Sequence, residues 1–156
     1  MTIKSLGYLA LLCLVGGSGC KGSPAAPPDP TPNVAGAWTG TLNISDQSGA
    51  VTNSCTHSWN VTSQNAGSIS GTAQTAGSCR TTGGTISGTV AMDGTLSLGP
   101  NILALDAVCT RLAGNGYTGS STSSSVSAKM TESVRCTPQG QTATEFTRTL
   151  TIALQR

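Results

Sequence analysis

A strict alternation of side chains over residues 37–44 most limits what this chain can fold into. Trp38, Leu42 and Ile44 fall in one phase, whereas alanine, threonine and asparagine occupy the other. A period of two is typical of a β-strand that buries one face and exposes the other. The same alternation returns along the rest of the chain, so we predict an all-β fold.

The number and spacing of these segments predict the topology. About eight alternating segments are separated by turn residues, with no helical pattern that would allow a parallel sheet. Asp93-Gly94 stands between two of them and predicts a two-residue type I′ hairpin. We expect an antiparallel up-and-down meander that closes into a small barrel, because closure removes exposed strand edges. A two-layer β-sandwich is the alternative.

Composition limits the chain to one domain, which we place at residues 34–156. Charged residues make up only 9% and aromatic residues 3%, while glycine occurs 20 times. That composition is poor in helix formers and suits strands and tight turns. The basic residues are scattered singly, whereas a nucleic-acid surface needs them clustered. Nucleic acid is therefore not an expected partner.

The N-terminus has the pattern of an export signal. A positive start is followed by an apolar run from Leu6 to Val15, and small residues then lead to Cys20. The run is shorter than the roughly 20 residues that span a membrane. Residues 1–19 resemble a bacterial lipoprotein signal peptide, although Gly17 stands where that family usually carries leucine. An ordinary secretory signal cut after Gly19 is the alternative.

The lipoprotein resemblance implies a location for the protein. It implies that Cys20 is lipidated and anchors the mature chain to a membrane of the bacterial cell envelope. Lys21 follows, where a retention signal for the inner membrane would carry aspartate, so the resemblance implies the outer membrane. Residues 20–33 are rich in proline and favour an extended tether with a reach of about 40 Å.

Four further cysteines, Cys55, Cys79, Cys109 and Cys136, remain in the mature chain. An even number in an exported chain predicts two disulfides. Three pairings are possible, and pairing of chain neighbours, Cys55 with Cys79 and Cys109 with Cys136, suits a meander best. Zinc is disfavoured because no two cysteines have ligand spacing and His57 is the single histidine. We predict no metal and no other cofactor.

Two opposite charges fall on the apolar phase of the last two strands. A hairpin turning at residues 138–140 would set Glu132 near Phe146 and diagonal to Arg148. Glu132 and Arg148 would then form a buried ion pair. A bulge that turns Glu132 out to solvent is an equal alternative.

The Gly36-Ala37-Trp38 sequence resembles the Gly-x-Trp opening of the lipocalins and of related small barrels. In lipocalins this tryptophan closes one end of the barrel beneath an arginine from the last strand. Arg148 is the position that could match, so the resemblance implies that it lies against Trp38. The middle lipocalin motif, Thr-Asp-Tyr, is absent. The resemblance therefore implies an architecture and does not imply a ligand.

No catalytic motif is present, and we predict that the protein is not an enzyme. The carboxylates are dispersed, and no serine or cysteine nucleophile motif accompanies His57. The expected function is binding of a small apolar molecule or of an envelope protein. The alternative is a protein-protein interaction or inhibitor module with a filled core. A set of larger side chains would line a cavity or form a packed core: Trp38, His57, Trp59, Met92, Met130 and Phe146.

Overall fold

A computed structural model describes residues 31–79 and 81–156 of the chain. The predicted signal peptide, Cys20 and the tether up to residue 30 lie outside the described residues. The described part contains eleven strands and one 3-10 turn, Pro100–Ile102. The strands are β1 (Gly36–Ser45), β2 (Val51–Asn65), β3 (Ser68–Ala76), β4 (Thr81–Gly83), β5 (Thr85–Val90), β6 (Thr95–Leu98), β7 (Leu103–Leu105), β8 (Cys109–Ala113), β9 (Tyr117–Ser121), β10 (Ser125–Cys136) and β11 (Thr144–Gln155).

Closure of the main sheet is made by β11, which pairs with both β1 and β10. The barrel order is β1-β2-β3-β5-β6-β9-β10-β11, so each of its eight strands lies beside the next one along the chain. The predicted antiparallel meander and closed barrel are confirmed, and the sandwich alternative is wrong. β8 adds to the far half of β10, and β4 pairs with β7 in a separate small sheet.

The period of two in the sequence becomes the inside and outside of the barrel. Along β10 every second residue is buried, including Val126, Ala128 and Met130, and the residues between them are mostly polar and exposed. The inward side chains of the barrel strands form a single hydrophobic core. The strands therefore form because each one contributes an apolar face to that core.

A repeated Ile-Ser-Gly-Thr phrase lies on two neighbouring strands, β3 and β5. Their register sets Gly71 opposite Ile86 and Gly88 opposite Ile69. A Cβ atom at Gly71 would collide with the carbonyl oxygen of Asn60 in β2. The glycine is needed because the neighbouring backbone approaches too closely for any side chain.

The turn between β5 and β6 differs from the prediction. Its central residues are Met92 and Asp93, and the N–H of Gly94 donates to the carbonyl of Ala91 (2.9 Å). Gly94 has a φ of +83°, whereas Asp93 does not have a positive φ. A type I′ turn requires positive φ at both central residues, so the loop is instead a turn followed by a left-handed glycine. This moves Met92 out of the strand.

The β10–β11 hairpin also has a different register from the predicted one. Arg148 lies directly opposite Glu132, and Phe146 lies opposite Val134. The turn closes from Gln141 N–H to Pro138 O (3.0 Å), and two further residues precede β11. Those additional residues shift every cross-strand partner by two positions.

Candidate functional site

The two ends of the barrel are built differently. At the turn end the connections are tight, at residues 66–67, 91–94 and 122–124. At the loop end they are longer, at residues 46–50, 77–84, 99–116 and 137–143. Both disulfides, Cys55–Cys79 and Cys109–Cys136, brace the loop end and confirm the predicted pairing of chain neighbours. Residues 31–35 enter the fold at the turn end.

The turn end is closed by Trp38, whose side chain is buried. Its Nε1–H donates to the carbonyl of Val34 (2.8 Å), and the guanidinium carbon of Arg156 lies 4.5 Å from the ring centroid. The expectation that Arg148 would cover this tryptophan is wrong. Arg148 lies nearer the other end of β11, because three inward residues, Leu150, Ile152 and Leu154, separate it from Arg156 along an extended strand.

The interior of the barrel is packed. Trp38, Trp59 and Met130 each expose no more than 3% of their surface. A side chain that lined a water-sized cavity would keep accessible surface, so these residues leave no room for a drug-sized ligand between them. Met92 and Phe146 are not core residues, since they expose 71% and 41%. Met92 lies in the β5–β6 turn, and Phe146 lies beyond the end of β1.

His57 is held in one tautomer inside the barrel. Trp59 Nε1–H donates to His57 Nε2 (2.8 Å), so Nε2 is unprotonated and Nδ1 carries the hydrogen. Nδ1 lies 3.0 Å from Thr75 Oγ1. Burial lowers the pKa of His57 to about 4. The ring is therefore neutral near pH 7, and because it is fully buried no substrate can reach it in this conformation.

A buried charge cluster lies beneath the loop end. Glu132 Oε1 accepts from Arg148 Nε (2.8 Å), and Glu132 Oε2 accepts from Arg111 Nε (2.5 Å). Arg111 Nη2 also donates to the carbonyl of Leu103 (3.0 Å). Burial raises the pKa of the nearby Tyr117 hydroxyl, and the negative charge of Glu132 raises it further. One carboxylate thus faces two guanidinium groups, which leaves the cluster with an excess positive charge.

One nitrogen of this cluster remains available. Arg148 Nη2 lies 2.7 Å from Glu132 Oε1, at an angle too bent for a hydrogen bond. No hydrogen bond joins Arg148 Nη1 to the described residues, and the Arg148 side chain as a whole keeps 9% of its surface exposed. An anionic group that approached the loop end would therefore find a positive charge held in a fixed position.

Three adjoining pockets open around the first residues of β11, with volumes of about 620, 330 and 370 Å³, and Arg148 lines the first two. All three are lined by Asp46 and Thr147. They form one cleft, which we call the edge groove, between residues 46–48 and residues 145–148. Ile44 and Phe146 line its inner part, and Lys129 lines its outer part. The groove has both an apolar wall and positive charge.

Three residues of these sites were not singled out by the sequence. Arg156 stacks on Trp38, Arg111 pairs with Glu132, and the buried Tyr117 hydroxyl lies near enough to Glu132 for that charge to raise its pKa. The signal for Arg156 is its phase, since it continues the inward series of β11 to the end of the barrel at which Trp38 lies. Arg111 and Tyr117 have no such signal, because they lie in short segments whose pairing depends on the rest of the barrel.

Together the fold and its loop end define a class: a closed eight-stranded antiparallel β-barrel with a disulfide-braced rim and a charged cleft. Comparison of the chain with protein-family models, with curated proteins and with solved structures found no match. Within the described residues, no three potential metal ligands come together in a metal-binding arrangement. In that same part of the chain, no helix is long and apolar enough to cross a membrane.

Proposed function

We propose that this protein is a lipid-anchored barrel of the bacterial cell envelope that binds another protein through its loop end. The observation that carries this proposal is the packed interior. A lipocalin-like carrier needs an internal cavity of about 300 Å³ or more. Here the inward side chains, Leu42, Ile152 and Leu150 among them, are completely buried against one another. A binding site must therefore lie on the outer surface of the barrel.

Exposed apolar side chains favour the loop end as that surface. Val51, Val108, Leu112 and Phe146 are exposed and belong to its rim, while the turn end has Met92. Single exposed apolar residues are common, but several on the same end of a small barrel are typical of a surface that meets a partner. The two disulfides hold this rim rigid, which lowers the entropy cost of binding.

The proposed anchor fits this orientation. Val34 and Ala35 lie at the turn end, so a tether that joins them to Cys20 would leave from the face opposite the loops. An extended tether of about 40 Å would hold the barrel away from the bilayer with its loop end outermost. The outer membrane is the location that the lipoprotein resemblance supports.

Binding of a small apolar molecule is the second candidate function. The pocket that favours it has a volume of about 330 Å³ and is lined by Ile44 and Phe146. That volume lies at the lower limit of small-molecule sites. Such a ligand would lie at the rim of the barrel and not inside it.

Site-specific photo-crosslinking in the host distinguishes the two ends. A photo-reactive phenylalanine analogue would replace Leu112 or Phe146 at the loop end, and Met92 at the turn end as the matched exposed control. We expect a crosslinked protein from the loop-end positions and none from Met92. Crosslinks from Met92 alone, or no crosslinked protein beside a co-purifying small molecule, would contradict the proposed function.

A further inference from the structure

β11 extends beyond the end of its neighbour β1. The last paired residues are Ser45 in β1 and Thr149 in β11, whereas β11 begins at Thr144. Residues 144–148 therefore pair with β10 on one side and have no strand on the other. This free edge forms one wall of the edge groove, and residues 46–48 form the opposite wall.

The hydrogen-bonding direction along β11 identifies the unpaired backbone groups. Arg156 donates its N–H to the carbonyl of Ser124, on the side of β9 and β10. Successive residues of an antiparallel strand direct their N–H and C=O groups to opposite neighbours. The register of β11 is unbroken on both sides, so its odd-numbered residues face β1. Glu145 and Thr147 thus direct their backbone N–H and C=O groups into the edge groove, where no described residue bonds to them.

The charges around the groove are not balanced. Asp46 Oδ1 is occupied by the N–H groups of Ser48 and Ala50 and by the Ser48 hydroxyl, and Glu145 pairs with Arg135. Lys129 makes no ion pair with the described residues, and Arg148 Nη1 has no hydrogen-bond acceptor. Asp46 keeps its negative charge, because the groups that donate to it are uncharged. Lys129 and the excess positive charge of the Arg111–Glu132–Arg148 cluster together outweigh that single negative charge, so the cleft favours an acidic occupant.

We propose that the edge groove binds an extended acidic peptide segment of a partner protein, which adds one strand to the free edge of β11. Backbone bonds to Glu145 and Thr147 would give affinity, and alternate side chains would give specificity. Side chains that point inward would pack on Ile44 and Phe146, and acidic side chains would meet Lys129 or Arg148. Because residues 46–48 wall the far side, the cleft suits a single strand and not the sheet of a second barrel.

This inference rests on the proposed protein-binding role and assigns that role to the edge groove. Its first test needs no ligand, because hydrogen exchange of the free protein reports the edge directly. The amides of Glu145 and Thr147 should exchange quickly, and those of Phe146 and Arg148, which face β10, should exchange slowly. Equal protection of all four amides would show that the edge is already paired and would overturn the proposal.

The second test measures binding of a fluorescent synthetic peptide in which valine alternates with aspartate. Thr147→Pro removes the edge N–H, while Thr147→Val removes the same hydroxyl and keeps that N–H. We expect Thr147→Pro to raise the Kd about tenfold or more, and Thr147→Val to leave it within about twofold. Lys129→Gln should raise the Kd of the aspartate peptide. A peptide in which valine alternates with lysine should bind the wild-type protein more weakly than the aspartate peptide does.

Two outcomes would overturn the site. They are no binding of the aspartate peptide up to its solubility limit, and equal binding by Thr147→Pro and Thr147→Val. Persistence of the Leu112 crosslink in Thr147→Pro would show that a partner binds elsewhere on the loop end. In that case the assignment of the edge groove as the binding site is wrong, and the proposed protein-binding function stands.

Discussion

Arg156 stacks on Trp38 and closes the turn end of the barrel. Its guanidinium carbon lies 4.5 Å from the ring centroid, and its Nη1 and Nη2 donate to the carbonyls of Ala35 (2.7 Å) and Asn33 (2.6 Å). The arginine thus joins the last strand to the segment that precedes the first strand. Closing a barrel requires its first and last strands to be held together, and this contact does so beyond the backbone ladder.

Loss of the Arg156 side chain should destabilise the fold. We expect Arg156→Ala to lower the free energy of unfolding by about 1–2 kcal/mol, since a cation–π contact and three charge-assisted hydrogen bonds, the third from Nε to the carbonyl of Ser123, are lost. Urea unfolding of the protein provides the measurement. Arg135→Ala is the control, because Arg135 pairs with Glu145 at the surface and should cost less than about 1 kcal/mol. Equal losses for both variants would contradict the closing role.

Removing the carboxylate of the buried charge cluster should destabilise the fold more than Arg156→Ala does. Glu132→Gln leaves Arg111 and Arg148 buried without a counter-charge, so we expect a loss of about 3–5 kcal/mol in urea unfolding. Glu145→Gln, which breaks an exposed ion pair, should cost less than about 1 kcal/mol. A loss of unfolding free energy as small as that of Glu145→Gln would contradict the role of Glu132 as the counter-charge of the two guanidinium groups.

Stability should decrease in acid because of His57. Burial lowers its pKa to about 4, whereas an unfolded chain titrates near 6.5. Below pH 6.5 the unfolded state binds a proton at His57 and the folded state does not. The free energy of unfolding therefore falls as the pH drops towards 4. The full shift corresponds to about 3 kcal/mol. We expect His57→Gln to lose less stability than wild type between pH 7 and pH 4.5, and identical pH profiles would contradict a neutral buried ring.

Attachment to the membrane should depend on one cysteine. We expect metabolic labelling with a radioactive fatty acid to mark the wild-type protein, and Cys20→Ala to remain unlabelled in the soluble fraction. Cys13→Ala is the matched control, since Cys13 lies within the apolar run and should leave labelling unchanged. Equal labelling of wild type and Cys20→Ala would rule out the lipid anchor.

The barrel could be predicted because its strands are encoded locally. The alternation through Trp38, Leu42 and Ile44 specifies a strand and its buried face, and the repeat of that pattern specifies a meander. The disulfide pairing of chain neighbours could also be predicted, although the strand that places Cys109 opposite Cys136 is β8, which lies outside the eight barrel strands. Closure of the barrel needs no further sequence motif, because it requires only that the last strand, β11, pair with the first strand, β1.

The details of the loop end could not be predicted, because they depend on lengths that the pattern does not specify. Two residues between the turn and β11 decide whether Glu132 faces Phe146 or Arg148. The same register places Phe146 beyond β1, where it lines the edge groove instead of the core. Arg111 reaches Glu132 only because β8 pairs with the far half of β10, a contact between segments with no distinguishing motif.

Native mass spectrometry of the protein purified from its host membranes tests the central claim, that the loop end binds a protein while the interior is filled. We expect a complex whose additional mass is a second polypeptide, which dissociates to leave the barrel with no bound small molecule. A small molecule retained by the folded barrel and released when the barrel unfolds, with no protein partner, would contradict the account.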